Sequence, residues 1–191
     1  MENEKKTGPE SLAGSDPENA FALLIEEHQR LVFAVALRLT ASADAAEDIT
    51  QETFMAAWKH LKDFRGESSL KTWLLRIAAN KARSWWRWKK LRNWVGLGRG
   101  EGEEDAAAPE DFLPDRPGDR PEQLAIQADL ERRVQAAIAL LPPRQREVAV
   151  LRSQELTMTE IAAALGMAEG TVKAHWFEAR RKLEASLGEY L

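Results

Sequence analysis

The chain has 191 residues, a formal net charge of −4, and 44% hydrophobic and 30% charged residues. This length suits one ordinary domain or two small ones, and the hydrophobic content excludes a chain that is disordered throughout. The absence of cysteine excludes disulfides, thiolate nucleophiles and cysteine-ligated zinc. No apolar run approaches the roughly 18 residues of a membrane span, and the polar N-terminus carries no secretory segment. We therefore expect a cytoplasmic protein.

The small net charge conceals two opposed blocks. Residues 61–95 carry ten basic and two acidic side chains, a net +8, whereas residues 96–130 carry a net −7. Such asymmetry is a better indication of partners than the total charge is.

The N-terminal part of the chain predicts helices. Residues 1–16 are polar and are interpreted as a flexible tail, and Asp16-Pro17-Glu18 is typical of a helix start. Asp44 with Glu47 resembles a capping box for a second helix. A loop follows, and the apolar spacing beyond it predicts a long helix over about 70–88. These elements form a first helical domain, placed at 17–91.

Residues 92–122 have a different composition. They contain five of the 11 Gly and four of the 8 Pro, which predicts a flexible acidic linker longer than the loops of compact domains. Helical periodicity returns over 123–191. Because no segment alternates like a strand, we expect an all-α fold of two small helical domains, the C-terminal one a helix-turn-helix.

The residues from 157 to 183 carry the most specific pattern. Thr157 and Glu160 predict a capping box, Gly166 a sharp turn, and Glu169 the start of a second helix. In a helix-turn-helix the second helix enters the DNA major groove. The outward residues of that helix are Thr171, Lys173, Ala174, His175, Phe177, Glu178 and Arg181. The alternative is a helical hairpin with a solvated basic end.

The basic block interleaves cations with tryptophans. The tryptophans are Trp85, Trp86, Trp88 and Trp94. Cations follow a phosphate backbone and aromatic rings stack on unpaired bases, so the combination favours single-stranded or melting DNA over rigid duplex. Four such rings cannot all face one strand, and we expect at least half of them to pack against protein.

Other polar residues offer weaker signals. Asp48, Gln51 and Glu52 form an acidic face of the second helix, which by composition alone could be an ordinary solvated surface. The three histidines, at 28, 60 and 175, share no ligand spacing, so no metal site is expected. No nucleophile motif or Gly-rich phosphate loop supports an enzyme, and no cofactor is expected.

Ordered motifs in both halves resemble one family. Ala46-Glu47-Asp48-Ile49, Gln51-Glu52 and Phe54 are similar to the polymerase-binding segment of bacterial sigma factors. Phe64-Arg65-Gly66-Glu67, Thr72-Trp73-Leu74, Arg76-Ile77-Ala78 and Asn80 are similar to the promoter-melting segment of the extracytoplasmic-function group. Leu141-Pro142, Arg144 to Val148, Glu160-Ile161-Ala162, Leu165-Gly166, Gly170 to Lys173 and Ala179-Arg180 are similar to that group's C-terminal domain. The chain thus resembles the extracytoplasmic-function (ECF) subfamily of sigma-70 factors over about 20–90 and 123–187.

The resemblance implies roles and partners. The partners would be core RNA polymerase, promoter DNA and an anti-sigma factor, often membrane-bound. Region 2 would be 17–91 and region 4 would be 123–191. The implied polymerase-binding residues are Asp48, Gln51, Glu52 and Phe54. The residues implied for binding and melting the −10 element are Phe64, Arg65, Ser68, Ser69, Lys71, Trp73, Arg76, Asn80, Arg83 and Arg87. The helix-turn-helix residues named above would bind the −35 element.

Three questions stay open at this point. Glu178 and Ala174 stand where many relatives have Arg or Ser, which predicts an atypical −35 sequence. The acidic linker could thread a basic polymerase channel or act as a plain tether. A different class of protein, a two-domain helix-turn-helix regulator with an N-terminal sensing domain, is the alternative function.

Overall fold

The computed structural model describes residues 17–64, 66–94 and 121–188. The regular structure of these residues is entirely helical, which confirms the all-α prediction. The helices are α1 (Pro17–Thr40), α2 (Ala43–His60), α3 (Leu70–Trp94), α4 (Pro121–Ala139), α5 (Pro143–Arg152), α6 (Met158–Leu165) and α7 (Glu169–Leu187). The predicted tail, Arg65 and most of the predicted linker lie outside the described residues. None of the described helices has the length and apolar character needed to cross a membrane.

Helices α1, α2 and α3 pack around one another in the N-terminal domain. Their core combines aliphatic side chains such as Val32, Leu74 and Leu75 with small alanines such as Ala36 and Ala78, all 1% exposed or less. The alanines permit close approach of the helices, while the larger side chains supply most of the buried apolar area.

The predicted capping box of Asp44 and Glu47 is wrong. Helix α2 begins at Ala43, and the hydroxyl of Ser42 accepts the Ala45 N–H at 3.4 Å. The chain turns at Ala41 with φ 55° and passes through Ser42 in extended backbone, so the helix has already started before Asp44. Asp44 instead lies in the first turn, where the negative charge of a carboxylate interacts favourably with the helix dipole and stabilises the helix.

Helix α3 is longer than its apolar pattern predicts. It continues to Trp94, and α4 already begins at Pro121, so both ends of the predicted linker are helical. Cation–aromatic pairs one turn apart support the extension: Lys89 lies 4.8 Å from the Trp85 ring and Arg92 lies 4.3 Å from the Trp88 ring. Apolar periodicity does not predict the last turns of α3, because the contacts that support them are cation–aromatic pairs on the surface.

The helix-turn-helix forms as predicted. The Thr157 hydroxyl accepts the Glu160 N–H at 3.2 Å, and a Glu160 carboxylate oxygen accepts the Thr157 N–H at 2.9 Å, which completes the capping box. Gly166 ends α6 with φ 63°, a conformation that favours glycine. Val172 and Ala179 are fully buried and seat α7 on the domain.

The capping box also sets the charge state of Glu160. The backbone N–H of Thr157, followed by side-chain hydrogen bonds from Thr157 and Thr72, lowers the pKa of the Glu160 carboxyl. A carboxyl whose pKa is lower in the folded state stabilises the fold at neutral pH. That contribution is lost as the pH falls through the folded-state pKa.

The two domains pack against each other. Helix α1 contacts α4 and α5, helix α3 contacts α6, and one apolar core includes residues of both domains. The sequence predicts a flexible connection, and nothing in its periodicity indicates this packing.

We predict that Thr157→Ala lowers the free energy of unfolding by about 1 kcal/mol, because the N–H of Glu160 loses its acceptor. Urea denaturation at neutral pH measures the effect. Thr157→Ser keeps the hydroxyl and should behave like the wild type; an equal loss in both variants would contradict the capping role.

Candidate nucleic-acid interfaces

The loop before α3 is anchored to that helix by its own side chains. The Ser69 hydroxyl accepts the Thr72 N–H at 3.0 Å and so caps the start of α3. The rings of Phe64 and Trp73 pack with their centroids 5.0 Å apart. Gly66 provides the turn between them with φ 71°. Phe64, Gly66 and Ser69 of this loop are therefore positioned against the first turns of α3.

A cleft of roughly 490 Å³ opens beside this loop. It brings together four of the residues that the sequence assigns to the −10 element: Phe64, Ser68, Trp73 and Arg76. Its opposite wall is helix α6 of the C-terminal domain, through Thr159, Glu160, Ala163 and Ala164. The cleft thus combines aromatic, hydroxyl and guanidinium groups with the carboxylates of Asp63, Glu67 and Glu160, a mixture that can hold a planar, hydrogen-bonding ligand.

Three further residues assigned to the −10 element, Asn80, Arg83 and Arg87, follow α3 away from the cleft, whereas Lys71 lies in its first turn. Asn80 is exposed and its side-chain oxygen accepts from Arg83 Nη1 at 3.3 Å. Arg83 also donates to Glu147 on α5, through Nε at 3.1 Å and Nη2 at 3.2 Å. Arg87 is exposed and donates to the Ser84 hydroxyl at 3.0 Å. Lys71 is half-buried.

The four tryptophans divide between packing and exposure. Trp86 donates its indole N–H to the Leu39 carbonyl at 2.9 Å, and Trp85 packs partly against the core. Trp88 is 54% exposed and Trp94 is 84% exposed. Trp85 and Trp86 therefore contact protein, with Trp86 still 37% exposed, and Trp88 and Trp94 lie toward the solvent-exposed end of α3.

The acidic patch, defined as Asp48, Gln51 and Glu52, is exposed on α2. Glu52 accepts an ion pair from Lys81 of α3 at 2.7 Å, whereas Asp48 has no ion-pair partner among the described residues. The negative charge of Glu52 is thus partly compensated within the protein, and that of Asp48 is not.

Phe54 differs from the rest of its predicted group. Its side chain is only 7% exposed and packs edge-to-face on Phe21, with the ring centroids 6.4 Å apart. It belongs to the face of α2 that turns toward α1, so it is a core residue and not an exposed contact. Met55, which the sequence analysis did not single out, is 59% exposed beside it. The helical spacing predicts an inward position for Trp58, but its side chain is 43% exposed while its ring packs on Phe21 with the centroids 4.9 Å apart.

The face of α7 that the sequence predicts to bind DNA is exposed and lined with ion pairs. Phe177 is 67% exposed, and Thr171, Lys173, Ala174 and Arg181 are also exposed. His175 is half-buried. The pairs are Lys173–Glu169 at 2.7 Å, Arg181–Glu178 at 2.8 Å and Arg180–Glu184 at 2.6 Å. Exposed pairs of this kind contribute little stability, so these cations can exchange a carboxylate for a phosphate at small cost.

Known proteins resemble both halves of the chain. The family described as Sigma-70 region 2 matches residues 24–92, and the family described as Sigma-70, region 4 matches residues 131–183. The ECF RNA polymerase sigma-E factor of Haemophilus influenzae is 33% identical over 171 residues, which is 86% of each chain. The chain belongs to the extracytoplasmic-function family of RNA polymerase sigma factors.

Further similarities agree with this family. The RNA polymerase sigma-H factor of Pseudomonas aeruginosa is 32% identical over 174 residues, 88% of this sigma factor and 86% of the relative. A solved structure of the sigma factor RpoE in complex with the anti-sigma factor NepR, from Bartonella quintana, is 27% identical with a TM-score of 0.69. That likeness covers 90% of this chain and 98% of the other.

The family match decides between the two functions that the sequence left open. The region 2 match spans most of α1 to α3, the part of the chain in which a transcriptional regulator would carry its sensing domain. The N-terminal half of this sigma factor is therefore region 2, and the sensing-domain alternative is wrong.

We predict that Asp48→Asn slows the association of this sigma factor with core polymerase severalfold, and more than Glu52→Gln does, because Lys81 already offsets the charge of Glu52. Stopped-flow association at low ionic strength measures both rates, since salt screens such steering. Glu184→Gln makes the same charge change on α7 and should leave the rate unchanged. Equal rates for all three variants would contradict a role for the acidic patch.

Proposed function

We propose that this chain directs core RNA polymerase to promoters by means of three surfaces: the acidic patch on α2, the cleft beside the loop before α3, and the exposed face of α7. The observation that supports this most directly is the cleft. Its aromatic, hydroxyl and guanidinium groups lie at the start of a helix that continues as a row of cations. The polymerase supplies the catalysis, and the sigma factor supplies the recognition and the opening of the duplex.

The cleft would receive an unpaired base of the −10 element. Extruding a base from a duplex costs a few kcal/mol. A pocket that is already formed offsets this cost better than one that must first be ordered, and so favours the melted DNA. Phe64 and Trp73 provide apolar ring surface, and Ser68 provides a hydroxyl that can donate or accept. Arg76 is exposed at the cleft and would bind the adjoining phosphate. Arg87, farther along α3, would follow the same strand.

Helix α7 would read the −35 element as duplex. Glu178 can accept a hydrogen bond from cytosine N4, and Ala174 can contact a thymine methyl. The Glu178 carboxylate pairs with Arg181 at 2.8 Å, and because this exposed pair is weak, the carboxylate can turn toward a base. This arrangement favours a −35 sequence that differs from one read by Arg at the same position.

Control by an anti-sigma factor is part of the proposal. The solved relative from Bartonella quintana is a sigma factor bound to the anti-sigma factor NepR. An anti-sigma factor of this chain would prevent its use by polymerase until an inducing signal arrives. No cofactor or metal enters the proposed function.

Run-off transcription with core polymerase on a randomised promoter library tests the function. We expect promoter-dependent transcripts that share −35 and −10 sequences and that core polymerase alone does not produce. The absence of any such transcript would contradict the proposed function.

We predict that Arg76→Ala reduces transcription from a duplex promoter severalfold, because a phosphate contact to the melted strand is lost. The defect should be smaller on a promoter whose −10 element is already unpaired. Arg132→Ala, an exposed arginine on α4, is the matched control and should transcribe normally. An equal defect on both templates would contradict a role for Arg76 in opening.

We predict that Glu178→Arg changes the preferred base at one position of the −35 element, by about 1–3 kcal/mol of discrimination. Selection from a library randomised at the −35 element measures the preference. Glu184→Arg makes the same charge change farther along α7, and should raise affinity for DNA without changing the selected sequence. If Glu178→Arg selects the wild-type sequence, Glu178 does not read a base.

A further inference from the structure

The last turns of α3 expose a short apolar stripe, formed by Trp88, Leu91 and Trp94. These residues recur at intervals of three, so their side chains are neighbours on one side of the helix. All three are exposed, Leu91 to 58% and Trp94 to 84%. Apolar side chains that lie together on a surface, in contrast to single ones, indicate a site that binds a partner.

Cations border the apolar stripe on both sides. The helical spacing places Lys90 beside Trp94 and Arg92 beside Trp88. Neither Asp nor Glu occurs from residue 68 to residue 100, so α3 itself supplies no carboxylate that offsets these charges. The cations of the last turns are Arg87, Lys89, Lys90 and Arg92. The end of α3 is therefore complementary to a partner that is both anionic and apolar.

The side chains of the apolar stripe favour a lipid surface over a nucleic acid or a protein. A base stacks on an open ring face, but the Arg92 guanidinium already lies 4.3 Å from the Trp88 ring centroid, and Leu91 has no ring face to offer. Leu91 gains free energy only by leaving water for an apolar phase. A standard protein interface needs roughly 20–30 residues a side, many more than this helix end provides. A bilayer, in contrast, receives a short helix end without a matching shape.

We propose that the end of α3 is a peripheral binding site for anionic phospholipid membranes. The apolar stripe enters the boundary between headgroups and acyl chains, and Lys90 and the cations beside it bind the lipid phosphates. The protein lies on the membrane surface through this site and does not span the bilayer. The inference goes beyond the proposed function and does not depend on it. Under the proposed roles, Arg87 serves both surfaces, so a lipid membrane and a melted DNA strand compete for this end of α3.

Flotation of the full chain with lipid vesicles tests the proposal. We expect binding to vesicles of phosphatidylcholine and phosphatidylglycerol in equal parts, and binding weaker by roughly tenfold or more to phosphatidylcholine alone, which lacks net negative charge. Leu91→Ala should weaken binding to the anionic vesicles severalfold, because less apolar area is buried. Leu140→Ala removes another exposed leucine, just after α4, and is the matched control.

Fluorescence and charge variants measure the two parts of the site separately. Lipids brominated on their acyl chains should quench the indole of Trp94, and Trp94→Phe should reduce the quenching while it keeps an apolar ring and most of the vesicle binding. Trp58→Phe, on α2, should leave the quenching unchanged. Lys90→Gln should weaken binding to anionic vesicles severalfold. Lys59→Gln, an exposed lysine on α2, makes the same charge change and should bind like the wild type.

Three results would overturn the proposal. The first is the absence of binding to anionic vesicles, and the second is equal binding by Leu91→Ala, Leu140→Ala and the wild type. The third comes from an oligo-dT strand, whose binding to the same variants is measured by fluorescence anisotropy. If Leu91→Ala weakens binding of this strand and leaves vesicle binding unchanged, the apolar stripe binds nucleic acid instead. Because these assays contain neither polymerase nor promoter, their failure leaves the proposed function intact.

Discussion

The packing of this molecule depends on one guanidinium group, that of Arg146, which lies where the ends of two helices meet. It donates to the Leu39 carbonyl of α1 and to the Ala139 and Leu141 carbonyls at the end of α4, and it lies 5.4 Å from the Trp86 ring. Carbonyls at helix C-termini have no partner within their own helix and attract cations. Burial lowers the pKa of Arg146, yet a guanidinium remains protonated in proteins. One cation therefore satisfies carbonyls of both domains.

The same junction has a built-in weakness. The Nε atom of Arg146 is buried without a hydrogen-bond partner in the described part of the chain, which costs about 1–3 kcal/mol relative to a satisfied donor. Near Arg146, the ion pairs Glu147–Arg83 and Glu131–Arg38 are only partly exposed, so their electrostatic attraction is stronger than that of fully exposed pairs. Salt still weakens this attraction. The polar contacts at this junction therefore add to the apolar core that the two domains share, and salt weakens only the polar part.

The sequence predicts the local features well and the long-range ones poorly. The Thr157 box and the turn at Gly166 involve residues within a few positions of one another, so residue type alone specifies them. The start of α2 was misplaced because Ser42 and Asp44 are both good caps, and the left-handed turn at Ala41 decides between them. The Arg83–Glu147 pair joins residues 64 positions apart. Periodicity predicts which face of each helix is buried, but not which helix packs against that face. The packing of the two domains, and with it the α6 wall of the cleft, could therefore not be predicted from the sequence.

The two surfaces proposed to bind DNA differ in the contacts that their cations make within the protein. The face of α7 is open, and its cations are held only by exposed pairs that a phosphate can replace at small cost. Arg83 is different, because freeing it leaves the nearly buried Glu147 with fewer hydrogen bonds unless the whole domain moves away. Under the proposed roles, the face of α7 would be accessible to duplex in the packed arrangement, whereas Arg83 would have to give up its hydrogen bonds to Glu147 to bind a melted strand.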